Sequence, residues 1–198
     1  NDEVLKTIGR KHTAQQFFDA FELARKCGFD NINTDLIAGL PTDTPESFKN
    51  SLDSIVRLNA ECITVHTLCM KRASRLTTEG VTLDLQQARD AREMLAYTQN
   101  ILGQNEYIPY YMYRQSRMVG NLENVGWSKK GFESLYNVYV MDETHTILAC
   151  GSGGVTKLKR NNPDYLERIF NFKYPYEYID RFDELIQRKS GIMQFYGQ

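Results

Sequence analysis

Asp35 sits in the middle of an apolar run, Asn31 to Pro41 (NINTDLIAGLP), and a carboxylate so placed asks for a partner. The run is too short for a typical helix, and its Ile-rich core bounded by Gly and Pro reads as a buried strand. Period-2 alternation then puts Asn33, Asp35 and Ile37 on one face and Ile32, Thr34, Leu36 and Ala38 on the other. Asp35 points away from the mainly apolar face. Leaving it without hydrogen bonds is costly, so either the protein satisfies it internally or a ligand does. Further along, Lys71, Arg72 and Arg75 gather three basic residues in five, Arg114 opens a long polar loop, and Gly151-Ser152-Gly153-Gly154 permits sharp turns or close backbone approach. Arg pairs bidentately with carboxylates, so cations brought to one place suit an anionic ligand with several carboxylates. A solvated basic edge is the alternative, and the glycine turn alone does not make a phosphate or nucleotide site.

Other chemistries find less support. His12 reads as a surface residue near a helix start and His145 as a turn residue, while His66 shares a strand face with Thr64 and Leu68. These three histidines give no Ser-His-Asp order and no metal-ligand spacing, which disfavours hydrolytic catalysis. Cys27, Cys62, Cys69 and Cys150 lack the spacing of a zinc or iron-sulfur site and read as reduced thiols used as small hydrophobes. The 198 residues are 41% hydrophobic and 25% charged with a net charge of -1, which argues against a generic nucleic-acid or membrane-surface binder. No apolar run approaches the roughly 20 residues needed to span a bilayer, and no signal-peptide pattern opens the chain, so the expected location is cytoplasmic. The opening NDEVLKTIG, without Met, reads like the middle of a folded segment, and the expectation is a piece of something longer.

The elements that would position these residues follow from local signals. Thr13 and Gln16 form a capping box that starts a helix ending at Gly28. Thr44 caps a second helix with Pro45 at its first position, and Phe48, Leu52, Ile55, Val56 and Leu58 mark its buried side. Cys62 to Leu68 (CITVHTL) is a second strand, so strand, helix and strand make a βαβ crossover with both strands parallel. The class is α/β, and ligands are expected beyond the carboxyl ends of the strands. A helix follows from about Leu85 to Gln104, then a third strand Ile108 to Tyr113 and a loop from Arg114 to Glu133, longer than a mere connection requires. Leu135 to Met141 and Thr146 to Ala149 read as a hairpin, Pro163 to Phe170 as a short helix, and Tyr176 to Phe195 as a final amphipathic helix.

Several stretches together resemble a known family. NDEVLKTIGRKHT, ARKCGFDNINTDLIAGLPTDTPESFKNSLDSIVRLNAECITVHTL, KRASRL, YYMYRQSRMVGNLENVGW and GSGGVTKL are similar to the carboxyl half of the radical S-adenosylmethionine barrel in oxygen-independent coproporphyrinogen III oxidases, with the HemZ-type coproporphyrinogen dehydrogenases as the nearest branch. The resemblance implies the second half of an incomplete (β/α)6, TIM-like barrel over residues 1–115 and an α+β extension over 116–198. It implies S-adenosylmethionine and a 4Fe-4S cluster as cofactors, the cluster held by cysteines of an amino-terminal CxxxCxxC-like motif. A 5′-deoxyadenosyl radical would abstract hydrogen from a propionate of coproporphyrinogen III, with loss of CO2 and an electron to leave a vinyl group. The implied partners are a porphyrinogen substrate and an electron donor.

Position by position, the resemblance makes Arg10 and Asp35 contacts to S-adenosylmethionine. It places Cys69 at a strand end that touches the cofactor through backbone, and Val155 and Thr156 at a late contact after the glycine turn. Lys71, Arg72, Arg75 and Arg114 are candidates for the tetracarboxylate substrate on charge and location. The cluster cysteines and earlier strands have no counterpart here, so the chain by itself is expected to be inactive, and its uncovered edges and apolar surface to favour self-association. A haem-binding carrier related to these oxidases and a radical enzyme with another substrate are the alternative functions.

Overall fold

A computed structural model describes residues 1–69, 85–114 and 118–197. They form two compact units, Asn1–Ser134 and Leu135–Gln198. In the first unit, α1 (Asp2–Thr7) starts at Asn1, whose side-chain oxygen accepts from the amides of Glu3 and Val4. Helix α2 (Ala14–Lys26) begins with the expected capping box: Thr13 accepts from the Gln16 amide, and the Gln16 side chain accepts from the Thr13 amide. Strand β1 (Asn33–Ala38) leads to α3 (Pro45–Arg57), capped by Thr44 with Pro45 in the first turn as expected. Strand β2 (Cys62–Thr67), helix α4 (Leu85–Gln104) and strand β3 (Ile108–Tyr113) follow.

The stretch after β3, expected to be loop throughout, instead contains a short 3-10 turn at Val119–Asn121 and a strand, β4 (Asn124–Ser128). This strand lies on the carboxyl side of residue 115 and yet belongs to the sheet of the first unit. The sheet order is β1-β2-β4-β3. β1 and β2 are parallel, as the βαβ crossover requires, while β4 runs antiparallel to both β2 and β3. β3 therefore runs in the direction of β1 and β2, and all three end on the same edge of the sheet.

One face of this sheet carries the core. Ala38, Ile63, Val65 and Trp127 pack with Phe21 of α2, Phe48, Leu52 and Ile55 of α3, and Met94 and Leu102 of α4. Leu52, Ile63 and Val65 are completely buried, and each such side chain contributes on the order of 2 kcal/mol. Gly39 closes β1 with φ +80, and a Cβ there would lie 3.2 Å from Ala91 Cβ, so glycine lets α4 approach the strand end.

The second unit departs from expectation in three places. Leu135–Asp142 is a helix, α5, and not the first arm of a hairpin. The second arm is reduced to a single bridge between Ile147 and Lys157. The segment expected as a helix at 163–170 is a strand, β6 (Asp164–Phe170), paired antiparallel along its length with β5 (Val155–Asn161). The expected final helix is broken into α6 (Pro175–Asp180), α7 (Phe182–Lys189) and α8 (Gly191–Tyr196). Leu158, Leu185, Phe172 and Phe195 are its buried apolar residues.

Candidate functional site

The sheet face opposite the core of the first unit is polar and aromatic. Register places Asp35, Thr64, Gly126 and Tyr111 in one row across all four strands. Gly126 is what lets this row close up: a Cβ there would lie 1.8 Å from Tyr111 Cε1, so the tyrosine ring occupies the space a side chain would fill. From that position the Tyr111 hydroxyl reaches Thr64 Oγ1 at 3.2 Å. Thr64 Oγ1 donates to Asn33 Oδ1 at 3.1 Å, and Asn33 Nδ2 donates to Asp35 Oδ1 at 2.7 Å. On the neighbouring row, the Tyr113 hydroxyl lies 3.2 Å from His66 Nδ1, and His66 Nε2 lies 3.8 Å from Asp35 Oδ1. The rings of Tyr111 and Tyr113 are parallel, with centroids 6.3 Å apart.

The electrostatics match this arrangement. The His66 imidazole is the largest influence on Asp35 and, with Asn33, holds its carboxyl below the usual range against the opposing effect of burial. Burial pushes the hydroxyls of Tyr111 and Tyr113 up, opposed at Tyr111 by Thr64 and at Tyr113 by Asn124. Near neutral pH the face therefore presents one ionised carboxylate among protonated phenols. The Asp35 side chain is 59% exposed and so open to a ligand. A carboxylate beside two parallel aromatic rings suits a cationic ligand that offers hydroxyl or amine donors and a flat ring.

The expected site residues fall in different places. Asp35 lies on this face. Cys69 follows β2 at the edge where the strands end, half-buried, and forms a bridge with Met118. Arg114 directly follows β3 at that same edge, and its guanidinium is paired with Glu123. Arg10 is exposed between α1 and α2, its amide donating to Leu5 O at 2.8 Å. Lys71, Arg72 and Arg75 lie outside the described residues. Val155 and Thr156 open β5 in the second unit, where the buried Thr156 hydroxyl accepts from the Ala149 amide and from Lys189 Nζ, both at 3.1 Å. Among the described residues no cluster of His, Cys, Asp or Glu could hold a metal ion, so the donor set does not fit an iron-sulfur cluster. Nor is any described helix long and apolar enough to cross a membrane.

Sequence reasoning singled out Asp35 and kept His66 in view, but it missed Tyr111 and Tyr113. Their signal was the alternation of tyrosines in IPYYMY, readable only once a glycine-bearing strand is known to lie beside them.

Comparison with known proteins gives the class that this α/β fold resembles. Residues 1–55 match the radical SAM superfamily. The chain is 37% identical over 193 residues to the oxygen-independent coproporphyrinogen-III oxidase-like protein HemZ of Bacillus subtilis, covering 98% of this chain and 38% of that protein. It is 32% identical over 171 residues to the heme chaperone HemW of Lactococcus lactis, covering 82% of this chain and 41% of the relative. The fold matches the solved coproporphyrinogen III oxidase HemN of Escherichia coli with a TM-score of 0.65 at 19% identity, over 93% of this chain and 41% of that one. The chain thus spans about two fifths of the length of these relatives.

Proposed function

We propose that this chain supplies the cofactor-binding sheet face of a radical S-adenosylmethionine enzyme that oxidatively decarboxylates a porphyrinogen, as in coproporphyrinogen III oxidation. The observation that carries this reading is Asp35: an ionised, exposed carboxylate on the polar face of β1, within the DLIAGLP stretch that the resemblance assigns to cofactor contact. S-adenosylmethionine bears a cationic sulfonium, hydroxyl and amine donors and a flat base, which fit this carboxylate and the tyrosine pair beside it. Bound there, the cofactor would supply radical chemistry. The residues of the first unit bind and orient it: Asp35 as acceptor, Arg10 as a cationic contact, and Cys69 through its backbone at the strand end. Lys71, Arg72, Arg75 and Arg114 would meet the substrate carboxylates. For Arg114 this requires a carboxylate of the substrate to displace Glu123. The cluster ligands and the electron donor come from outside this chain, which alone is inactive.

Anaerobic reconstitution of the full-length protein with iron and sulfide, followed by assay with coproporphyrinogen III, tests the reading. Vinyl products together with 5′-deoxyadenosine are expected; formation of neither rejects it. The similarity to a heme chaperone over most of the chain favours a second reading, haem binding without turnover. Haem absorbance on titration, with no conversion of porphyrinogen, would select the chaperone.

A further inference from the structure

The hydrogen-bond directions along the path from Asp35 to Tyr111 are forced by chemistry. An ionised carboxylate only accepts, so Asn33 must present Nδ2 to it and Oδ1 to Thr64. An amide oxygen also only accepts, so Thr64 spends its proton on Asn33, and the Tyr111 hydroxyl must donate to Thr64 Oγ1. On the other side, the Tyr113 hydroxyl lies 3.2 Å from His66 Nδ1, and His66 Nε2 stands 3.8 Å from Asp35 Oδ1, an electrostatic neighbour rather than a hydrogen-bond partner. One hydrogen-bonded chain thus runs from Tyr111 through Thr64 and Asn33 to Asp35 Oδ1, and a second line of contacts from Tyr113 through His66 faces the same atom.

We infer that Tyr111 and Tyr113 are positioning residues for the Asp35 ligand site, acting through Thr64 and Asn33 on one path and through His66 on the other. The inference rests on the reading of Asp35 as a cofactor contact. Both paths load Oδ1, fix the carboxylate plane, and turn Oδ2 toward a ligand donor. Among the described residues of the four strands, the titratable groups on this face are Asp35 from β1, Cys62 and His66 from β2, and Tyr111 and Tyr113 from β3; Asn124, Gly126 and Ser128 of β4 add none. The glycine in β4 is part of the device, because only there can a Tyr111 ring cross the sheet to reach β2.

The test is a pH titration of the Asp35 carboxyl carbon by NMR, with no ligand, in the wild-type chain and in Tyr113→Phe, Tyr111→Phe, the double variant, His66→Phe and His66→Gln. Each Tyr→Phe change removes one hydroxyl and little volume, and thermal melting checks that the fold survives. Asp35 should titrate higher in each single tyrosine variant, higher again in the double variant, and highest in His66→Phe, with His66→Gln restoring part of the shift. A second arm measures S-adenosylmethionine affinity of the reconstituted full-length protein. Each tyrosine variant should bind about threefold to tenfold more weakly, the loss of about one hydrogen bond. An unchanged carboxyl titration in all variants overturns the positioning role. If Asp35→Asn abolishes binding while the tyrosine variants bind normally, positioning fails and the cofactor reading stands. If Asp35→Asn itself binds normally, the cofactor reading fails.

Discussion

Glu61, immediately before β2, accepts from Arg25 Nη2 at 2.7 Å and from the Ile32 amide at 3.0 Å. Burial pushes its carboxyl up, but the Ile32 amide and Arg25 outweigh burial and leave it below the usual range. The folded state therefore binds this proton more weakly than the unfolded one, so its stabilisation is complete above the usual carboxylate range and is lost as pH falls through the folded value. Arg25→Ala should cost about 1–3 kcal/mol at pH 7, because it leaves a mostly buried carboxylate with fewer donors. In urea melts the gap between wild type and variant should close in acid; a gap independent of pH would contradict this account. Asp35 has the same sign of shift from a different cause, and it is exposed where Glu61 is mostly buried. Sequence alone could not separate the two environments, since each is a single carboxylate within or at the start of a short apolar run.

At the scale of elements, β4 does more than close a sheet. Gly126→Ala should push the Tyr111 ring away and break its contact with Thr64. The expected signature is a rise in the Asp35 carboxyl titration with a small loss of stability; an unmoved titration would show that Tyr111 does not reach Asp35. In the second unit, Leu158 is fully buried on β5, and Leu158→Ala should destabilise that unit by about 2–5 kcal/mol in denaturant melts. The capped helices and the β1–β2 crossover were legible because Thr13, Thr44, Pro45 and the alternating strands are local signals. β4 was not, because five residues with a central glycine carry little propensity and are held by neighbours distant in sequence. Leu135–Asp142 looks like a strand by its Val and Tyr content, yet among the described residues it pairs with no strand and is a helix. At β6, expected as a helix, the turn signal of Asn161-Asn162-Pro163 between two pairing runs was the better guide.

For the whole molecule, the sheet of the first unit ends at β1 and β3 among the described residues, and β3 exposes Ile108 and Met112. Uncovered edges of this kind recruit other strands. The chain as given should self-associate in a concentration-dependent way, and a strictly monomeric species in light scattering would contradict that. The site itself was half legible: Asp35 stood out as a costly carboxylate, but its supports come from three strands whose adjacency no local pattern records. The most direct check of the account is S-adenosylmethionine affinity in the reconstituted full-length protein, comparing wild type with Asp35→Ala while cluster absorbance is followed. The account predicts weakening on the order of tenfold to a hundredfold with the cluster intact, the cost of losing a charged hydrogen bond. Unchanged affinity would contradict it and return Asp35 to a purely structural role.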